Sequence, residues 1–174
     1  MGEEFTQITG GCMCGEVRYE ADREPVTVSY CHCYSCRRHT GAPVVTFVVF
    51  ERDQVKFTKE DRKIYNSSPG VERGFCGQCG TSLTCEGEYM GRPMIGFHIS
   101  TLDNPDAYVP IVHQRHGERI DWFDVADNLP RLRGGSDDKE PYHIGPVIGG
   151  PTGEPLGATG SSGLLSEVKP PQPS

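Results

Sequence analysis

Short stretches of this chain alternate apolar and polar residues with a period of two. Val17, Tyr19 and Ala21 are separated by Arg18 and Glu20, and Gln54-Val55-Lys56-Phe57-Thr58 repeats the pattern. Such alternation predicts half-buried β-strands. Val44-Val45-Thr46-Phe47-Val48-Val49-Phe50 is a short run rich in β-branched residues, the signature of a strand buried on both faces. Val71-Glu72-Arg73-Gly74-Phe75 and Met94-Ile95-Gly96-Phe97-His98-Ile99 supply two further strand candidates. No long stretch follows the 3.6-residue period of a helix. Asp121 to Leu129 is expected to form one short helical turn before Pro130. The fold class is therefore all-β, with several short strands joined by Gly/Pro turns.

The globular part is expected to span residues 5–133. From Gly134 the composition shifts to a Pro/Gly/Ser-rich tail, 134–174, with too few large apolar residues to build a core, so it is read as flexible. Tyr142, Ile144, Val147 and Ile148 are the exception and are candidates for docking on the domain, and Leu164 and Leu165 form a second small apolar spot. No apolar run approaches the roughly 20 residues of a membrane span. The first residues carry neither a basic flank nor an apolar stretch, so a cytoplasmic location and no membrane partner are expected. The formal net charge is −7. A surface of that sign repels phosphate backbones, so no nucleic-acid partner is expected.

Seven of the eight cysteines stand in three tight clusters: Cys12-Met13-Cys14, Cys31-His32-Cys33-Tyr34-Ser35-Cys36 and Cys76-Gly77-Gln78-Cys79. In a reducing compartment such clusters bind metal more often than they form disulfides. Two Zn²⁺ ions per chain would use all seven thiolates: four close a tetrahedral structural site, and three leave a position open for chemistry. Residues i and i+2 of a strand point to one side, so a CxC pair can face one ion, while a CxxC pair wraps a turn around it. Gly80, directly after Cys79, suits the positive φ that such a turn often needs. Spacing admits two partitions. Cys33/Cys36 could join Cys76/Cys79, leaving Cys12, Cys14 and Cys31. Alternatively Cys12/Cys14 could join Cys76/Cys79, leaving the contiguous Cys31, Cys33 and Cys36, which closes less chain.

Gly11-Cys12-Met13-Cys14-Gly15-Glu16-Val17-Arg18-Tyr19, Cys31-His32-Cys33-Tyr34-Ser35-Cys36-Arg37-Arg38 with Thr40-Gly41-Ala42-Pro43, and Phe75-Cys76-Gly77-Gln78-Cys79-Gly80-Thr81 resemble three blocks of the glutathione-dependent formaldehyde-activating enzyme (Gfa) family. Thr101-Leu102-Asp103-Asn104-Pro105 and Trp122…Asp127-Asn128-Leu129-Pro130 match further along, so the resemblance covers about Thr9 to Leu132. It implies a zinc-stabilised β-tent fold of several short antiparallel strands, with the flexible C-terminal tail outside it. It also implies a structural zinc on Cys12, Cys14, Cys76 and Cys79 and a catalytic zinc on Cys31, Cys33 and Cys36. The implied activity is that of a carbon–sulfur lyase joining glutathione and formaldehyde as S-hydroxymethylglutathione.

Three thiolates leave Zn²⁺ a weaker Lewis acid than three neutral histidines do, less suited to making hydroxide and better suited to holding an incoming thiol as thiolate. Glutathione carries two carboxylates, and Arg37, Arg38 and Arg73 are the substrate-binding candidates because arginine forks match carboxylates. His32, inside a CxC arm, should point away from the metal and play a structural role. His39, His98, His113 and His116 have no mutual spacing that suggests a site. Cys85 is read as a small buried hydrophobe that would close the second site if it reached it. Trp122 and Phe123 are expected in the core. Two readings stand beside the enzyme: a non-enzymatic zinc-stabilised binding domain, and a thiol or metal redox sensor.

Overall fold

The structure, a computed structural model, describes residues 7–89, 91–135, 138 and 140–145. Its strands are β1 (Ile8–Gly11), β2 (Arg18–Ala21), β3 (Thr27–Cys31), β4 (Val45–Glu51), β5 (Val55–Phe57), β6 (Lys63–Ser68), β7 (Val71–Phe75), β8 (Ser82–Tyr89), β9 (Arg92–His98), β10 (His113–Gln114), β11 (Pro130–Arg131) and β12 (His143–Ile144). One short helix, α1 (Tyr34–Thr40), follows β3. Among the described residues the strands form two open sheets. β1, β2 and β5 make a small antiparallel one, and the others lie in the order β12-β11-β10-β3-β4-β9-β8-β7-β6. The long centre of the second sheet is antiparallel, but β10 pairs in parallel with both β3 and β11. The all-β class read from the alternation is the class observed.

Each strand expected from the hydrophobic pattern has its counterpart. Tyr19 and Ala21 are buried while Arg18 and Glu20 are half-buried. The small sheet packs its inner face on the large one, where Ile8, Val17, Tyr19, Val28, Val48, Phe50, Leu83, Ile95 and Phe97 form the main core. The Tyr19 and Phe97 rings stack with centroids 3.7 Å apart. β4 explains why its sequence is apolar at nearly every position. Val48 and Phe50 face this core, whereas Val45 and Phe47 pack on the opposite side with Cys31, Cys33 and Cys36.

The expected helical turn over Asp121 to Leu129 does not form. Asp124 Oδ1 accepts from the Val125 amide at 2.8 Å and Asp127 Oδ1 from the Leu129 amide at 3.0 Å. These local side-chain bonds compete with helical ones. Trp122 is 69% exposed, which corrects its placement in the core, because this loop runs outside the sheet. Helix α1, for which the sequence shows no helical periodicity, begins where the Cys33 thiol caps the Cys36 amide and ends at Gly41, whose φ of 71° is left-handed. Within the segment 134–174, β12 pairs with β11, and the Tyr142 amide donates to the Arg131 carbonyl at 3.0 Å. Val147, Ile148, Leu164 and Leu165 lie outside the described residues, as does most of the segment read as flexible. No helix among the described residues is long and apolar enough to cross a membrane.

Candidate functional site

The first cysteine cluster joins two turns from distant parts of the chain. After β1 the chain reverses through Cys12 to Glu16, the Gly15 amide donating to the Cys12 carbonyl at 3.0 Å with Gly15 at φ 76°. Cys12 and Cys14 therefore converge from a turn, not from a strand face. After β7 the Cys76–Cys79 turn closes through the Gly80 amide onto the Cys76 carbonyl at 3.0 Å, with Gly80 at φ 73°. Thr81 ties the two turns together: its hydroxyl accepts from the Met13 amide at 3.2 Å and lies 3.1 Å from Cys79 Sγ. The Sγ atoms of Cys12, Cys14, Cys76 and Cys79 all lie within 4.8 Å of one another. The Cys12–Cys14 and Cys14–Cys76 separations are 3.4 and 3.7 Å. Sulfurs about 2.3 Å from one tetrahedral ion stand roughly 3.8 Å apart, so these four residues fit a closed Zn²⁺ site. All eight cysteines are free thiols. Thr81 pulls the Cys79 thiol down to about 5, through its hydroxyl and its amide. Burial pushes the Cys12 thiol up, but the Val17 amide and the neighbouring thiols bring it to a net lowering.

The second cluster is local. Cys31 ends β3, Cys33 caps α1 and Cys36 lies in its first turn. Their thiols also lie within 4.8 Å of one another, with Cys31 and Cys36 Sγ 3.6 Å apart. All three residues are at least nine-tenths buried. Arg73 reaches this cluster from β7. It is 4% exposed; its Nη1 donates to Cys36 Sγ at 3.2 Å and its Nε to Ser67 Oγ at 3.2 Å. Cys85 stands opposite Arg73 in the β7–β8 register and packs on the cluster. Proximity to Cys36 draws the Cys85 thiol down, though it is not one of the thiols within one ion's reach. Contact with Cys31, then with Cys33, draws the Cys36 thiol down, and Arg73 adds to this. The Cys31 thiol is pushed well up by Cys33 and Cys36, so the cluster does not lose all its protons easily unless a cation joins it.

The arginines singled out from sequence are placed differently from one another. Arg37 donates from Nε to the His32 carbonyl and from Nη2 to the Glu118 carbonyl, both at 2.9 Å, which pins α1 to the loop after β10. Arg73 faces the thiols from the interior. Arg38 is exposed and contacts the Tyr34 hydroxyl. Arg115, which sequence reasoning missed, has its backbone at φ 50°, ψ 37°, uncommon for a residue with a side chain. Its half-exposed guanidinium pairs with Glu118 at 3.2 Å and feels the charge of Cys33 and Cys31. Spacing gave no signal for it, since parallel pairing of β10 with β3 brings it near.

A third group was also invisible to spacing. His32, His113 and His116 are fully buried and gather with Asp124, Asp127 and Arg131. The expectation that the later histidines share no site therefore holds for sequence separation and fails in space. Burial pushes the His32 imidazole down to about 3, with His116 and His113 adding to the effect. Burial also lowers His113 and His116, against the pull of Asp127 and Asp124 respectively. Separately, a cavity of about 480 Å³ opens beside α1 and β4, lined by Thr40, Val45, Thr46, Thr81, His98 and Thr101 among others. Val45 belongs both to this lining and to the cluster around Cys31, Cys33 and Cys36.

Two open β-sheets with seven cysteines drawn into one four-thiol and one three-thiol cluster define a β-protein built around sites that could hold metal ions. Residues 7–118 match the family described as glutathione-dependent formaldehyde-activating enzyme, and the chain belongs to that family. An uncharacterized lyase of Schizosaccharomyces pombe is 35% identical over 77 residues, 44% of this chain and 56% of the relative, so the match spans about half of that relative's length. A crystal structure of a Rhodobacter sphaeroides protein shares 20% identity, covers 55% of this chain and 87% of its own, and aligns with a TM-score of 0.46.

Proposed function

We propose that this chain is a zinc-dependent carbon–sulfur lyase acting on a thiol–aldehyde adduct, with glutathione and formaldehyde combining to S-hydroxymethylglutathione. The observation that carries the reading is the three-thiol cluster: Cys31, Cys33 and Cys36 offer one ion three sulfurs, one fewer than a closed tetrahedral site takes. Family membership and the lyase name of the yeast relative support it. Cys12, Cys14, Cys76 and Cys79 would hold a structural Zn²⁺, and Cys31, Cys33 and Cys36 a second. When bound there, the second ion supplies a coordination position that takes a thiol and lowers its pKa.

The chain's own groups do the rest. Arg73 offsets the thiolate charge from the buried side, and the Cys36 amide holds Cys33 in orientation. The cavity beside α1, adjoining the cluster through Val45, receives the body of the thiol carrier. Arg38, exposed on α1, and Arg115, whose guanidinium feels the charge of Cys33 and Cys31, are the cations offered to its carboxylates. The thiol sulfur forms a bond to the aldehyde carbon, the carbonyl π bond breaks, and the thiol proton ends on the new hydroxyl, so the addition is balanced without a redox partner. Exchange NMR on an equilibrium mixture of glutathione and formaldehyde tests the reading. Purified protein should speed the interconversion, and Cys33→Ser should abolish the acceleration. Protein holding two zinc ions with no acceleration would sink the substrate assignment.

Cys85 favours a second reading, a redox sensor, because a thiol packed against the cluster that holds Cys36 could pair with it on oxidation by a peroxide, giving one disulfide and two waters per peroxide consumed. Peroxide treatment that releases one zinc and leaves Cys85→Ser protein unaffected would favour the sensor.

A further inference from the structure

The buried histidine group has an arrangement that a purely structural polar network does not need. Because Cys31 and Cys33 share one side of the chain, His32 projects to the other. There it meets His113, brought alongside by the parallel pairing of β10 with β3, and His116 just beyond. Asp124 and Asp127 arrive on the loop leading into β11, and Arg131 on β11 itself. His32, His113, His116 and Arg131 are each 0% exposed and the Asp124 side chain is 8% exposed.

The hydrogen bonds fix which nitrogens carry protons. The Asp127 carboxylate lies 3.0 Å from His113 Nε2, so that nitrogen is the donor and Nδ1 of the neutral ring is an acceptor. His32 Nε2 lies 2.8 Å from that Nδ1 and must donate to it. His32 Nδ1 is therefore a bare lone pair, and it has no hydrogen-bond partner although it is completely buried. An unpartnered buried nitrogen costs on the order of 1–3 kcal/mol unless something occupies it.

Two further donors stand close by. His116 Nε2 and Asp124 Oδ1 are 3.1 Å apart, and one ring nitrogen each of His32 and His116 and one Asp124 oxygen lie within 4.8 Å of one another. Two ligands bonded at about 2.0–2.1 Å to one ion, at an angle between tetrahedral and square, stand roughly 3 Å apart. The surroundings are those that orient metal ligands. His113 with Asp127 backs His32, the Tyr142 hydroxyl meets His116 Nδ1, and the Val125 amide holds Asp124 Oδ1. Arg131 makes its short bonds elsewhere, to Asp127 at 2.9 Å and to the Leu129 and Val125 carbonyls at 2.7 and 2.8 Å. Its contacts with Asp124 are both 3.4 Å.

We propose that His32, His116 and Asp124 form a third cation site, free of sulfur, for a transition-metal dication of the zinc type. It is separate from both cysteine clusters and does not depend on the lyase reading. Two neutral imidazoles and one carboxylate suit a borderline dication and discriminate against magnesium and calcium, which take oxygen. Binding needs no net proton loss. The proton of His116 moves from Nε2 to Nδ1, where it donates to the Tyr142 oxygen, and the Tyr142 hydroxyl turns to another acceptor. Asp124 brings one carboxylate charge to the ion while keeping its contacts with Arg131 and the Val125 amide.

The test is a difference in stoichiometry. Full-length protein is loaded with excess Zn²⁺, cleared of weakly held metal by gel filtration, and analysed for zinc per chain. The wild type should hold one ion more than His116→Ala, and one more than the near-isosteric Asp124→Asn, whatever number the cysteines retain. Equal zinc in wild type and a folded variant overturns the site. Should both variants fail to fold, the wild type loaded with Co²⁺ decides. An equivalent with weak d–d absorption that saturates without added sulfur-to-cobalt charge transfer supports the site. Cobalt bound only with that charge transfer overturns it. A failed lyase assay leaves this count untouched, and an absent third ion leaves the lyase reading untouched.

Discussion

Arg73 offers the sharpest test of how the three-thiol cluster works. Its Nη1 is 3.2 Å from Cys36 Sγ, and the residue is 4% exposed. At an effective dielectric of about 20, unit charges at that distance attract by about 5 kcal/mol. Taking the guanidinium out of water costs several kcal/mol, so the net support for the thiolates is a fraction of that figure. A supporting group of this kind changes metal affinity by about 10–100-fold, or about 1.4–2.7 kcal/mol. Arg73→Met should weaken zinc at the second site by that amount and leave the four-thiol site unchanged. Arg73→Lys should recover part of the loss, since it keeps the charge but cannot serve both Ser67 and Cys36. Competition against a chromophoric chelator, with the two ions resolved as separate steps, measures both affinities. Unchanged affinity in Arg73→Met, or equal loss at both sites, would refute the argument that a buried cation supports this cluster.

Other expectations follow from the same geometry. Cys76→Ser should lower the melting temperature far more than Cys33→Ser, because the first cluster ties turns 62 residues apart whereas the second spans one turn of chain; equal losses by thermal denaturation would show the roles reversed. Phe97→Ala removes a fully buried ring stacked on Tyr19 and should cost about 3–5 kcal/mol in denaturant unfolding, against under 1 kcal/mol for the exposed Trp122→Ala. Burial holds the His98 imidazole down at about 4 against an ordinary 6.5, so the unfolded chain binds the proton more readily between those values. The contribution, at most about 3 kcal/mol, is complete above pH 6.5 and is lost as pH falls toward about 4; His98→Phe should flatten that part of a stability–pH curve. Arg38→Ala and Arg115→Ala should raise KM for glutathione while sparing a small uncharged thiol, and parallel changes for both thiols would remove carboxylate recognition from these residues.

The strands legible in the sequence were those whose partners impose a simple pattern. Val17 to Ala21 has one buried face and reads as alternation, and Val45 to Phe50 has two and reads as an apolar run. β6 was not legible because nearly every side chain of this edge strand is exposed, so no face is marked. α1 was hidden because its start is set by a thiol cap and its end by Gly41, within seven residues and without an apolar stripe. The cysteine clusters could be seen as clusters, since ligand spacing is local. Their neighbours could not. Arg115 and the His32 group depend on the parallel pairing of β10 with β3, a contact between residues about 80 apart that no periodicity encodes.

Cys31, His32 and Cys33 alternate across one stretch of backbone, thiols to one side and imidazole to the other. Two chemically unlike environments thus hang from a single wall one residue thick. Neither can be tuned alone by changing chain length here. Inserting one residue between Cys31 and His32 exchanges the sides beyond it, sending the Cys33 thiol among the histidines and the imidazole among the thiols. A larger side chain at position 32 would press on a sealed compartment and rotate the wall, parting the sulfurs without touching them. Damage on the nitrogen side should therefore be audible on the sulfur side, as a change in cysteine reactivity from a substitution that alters no cysteine.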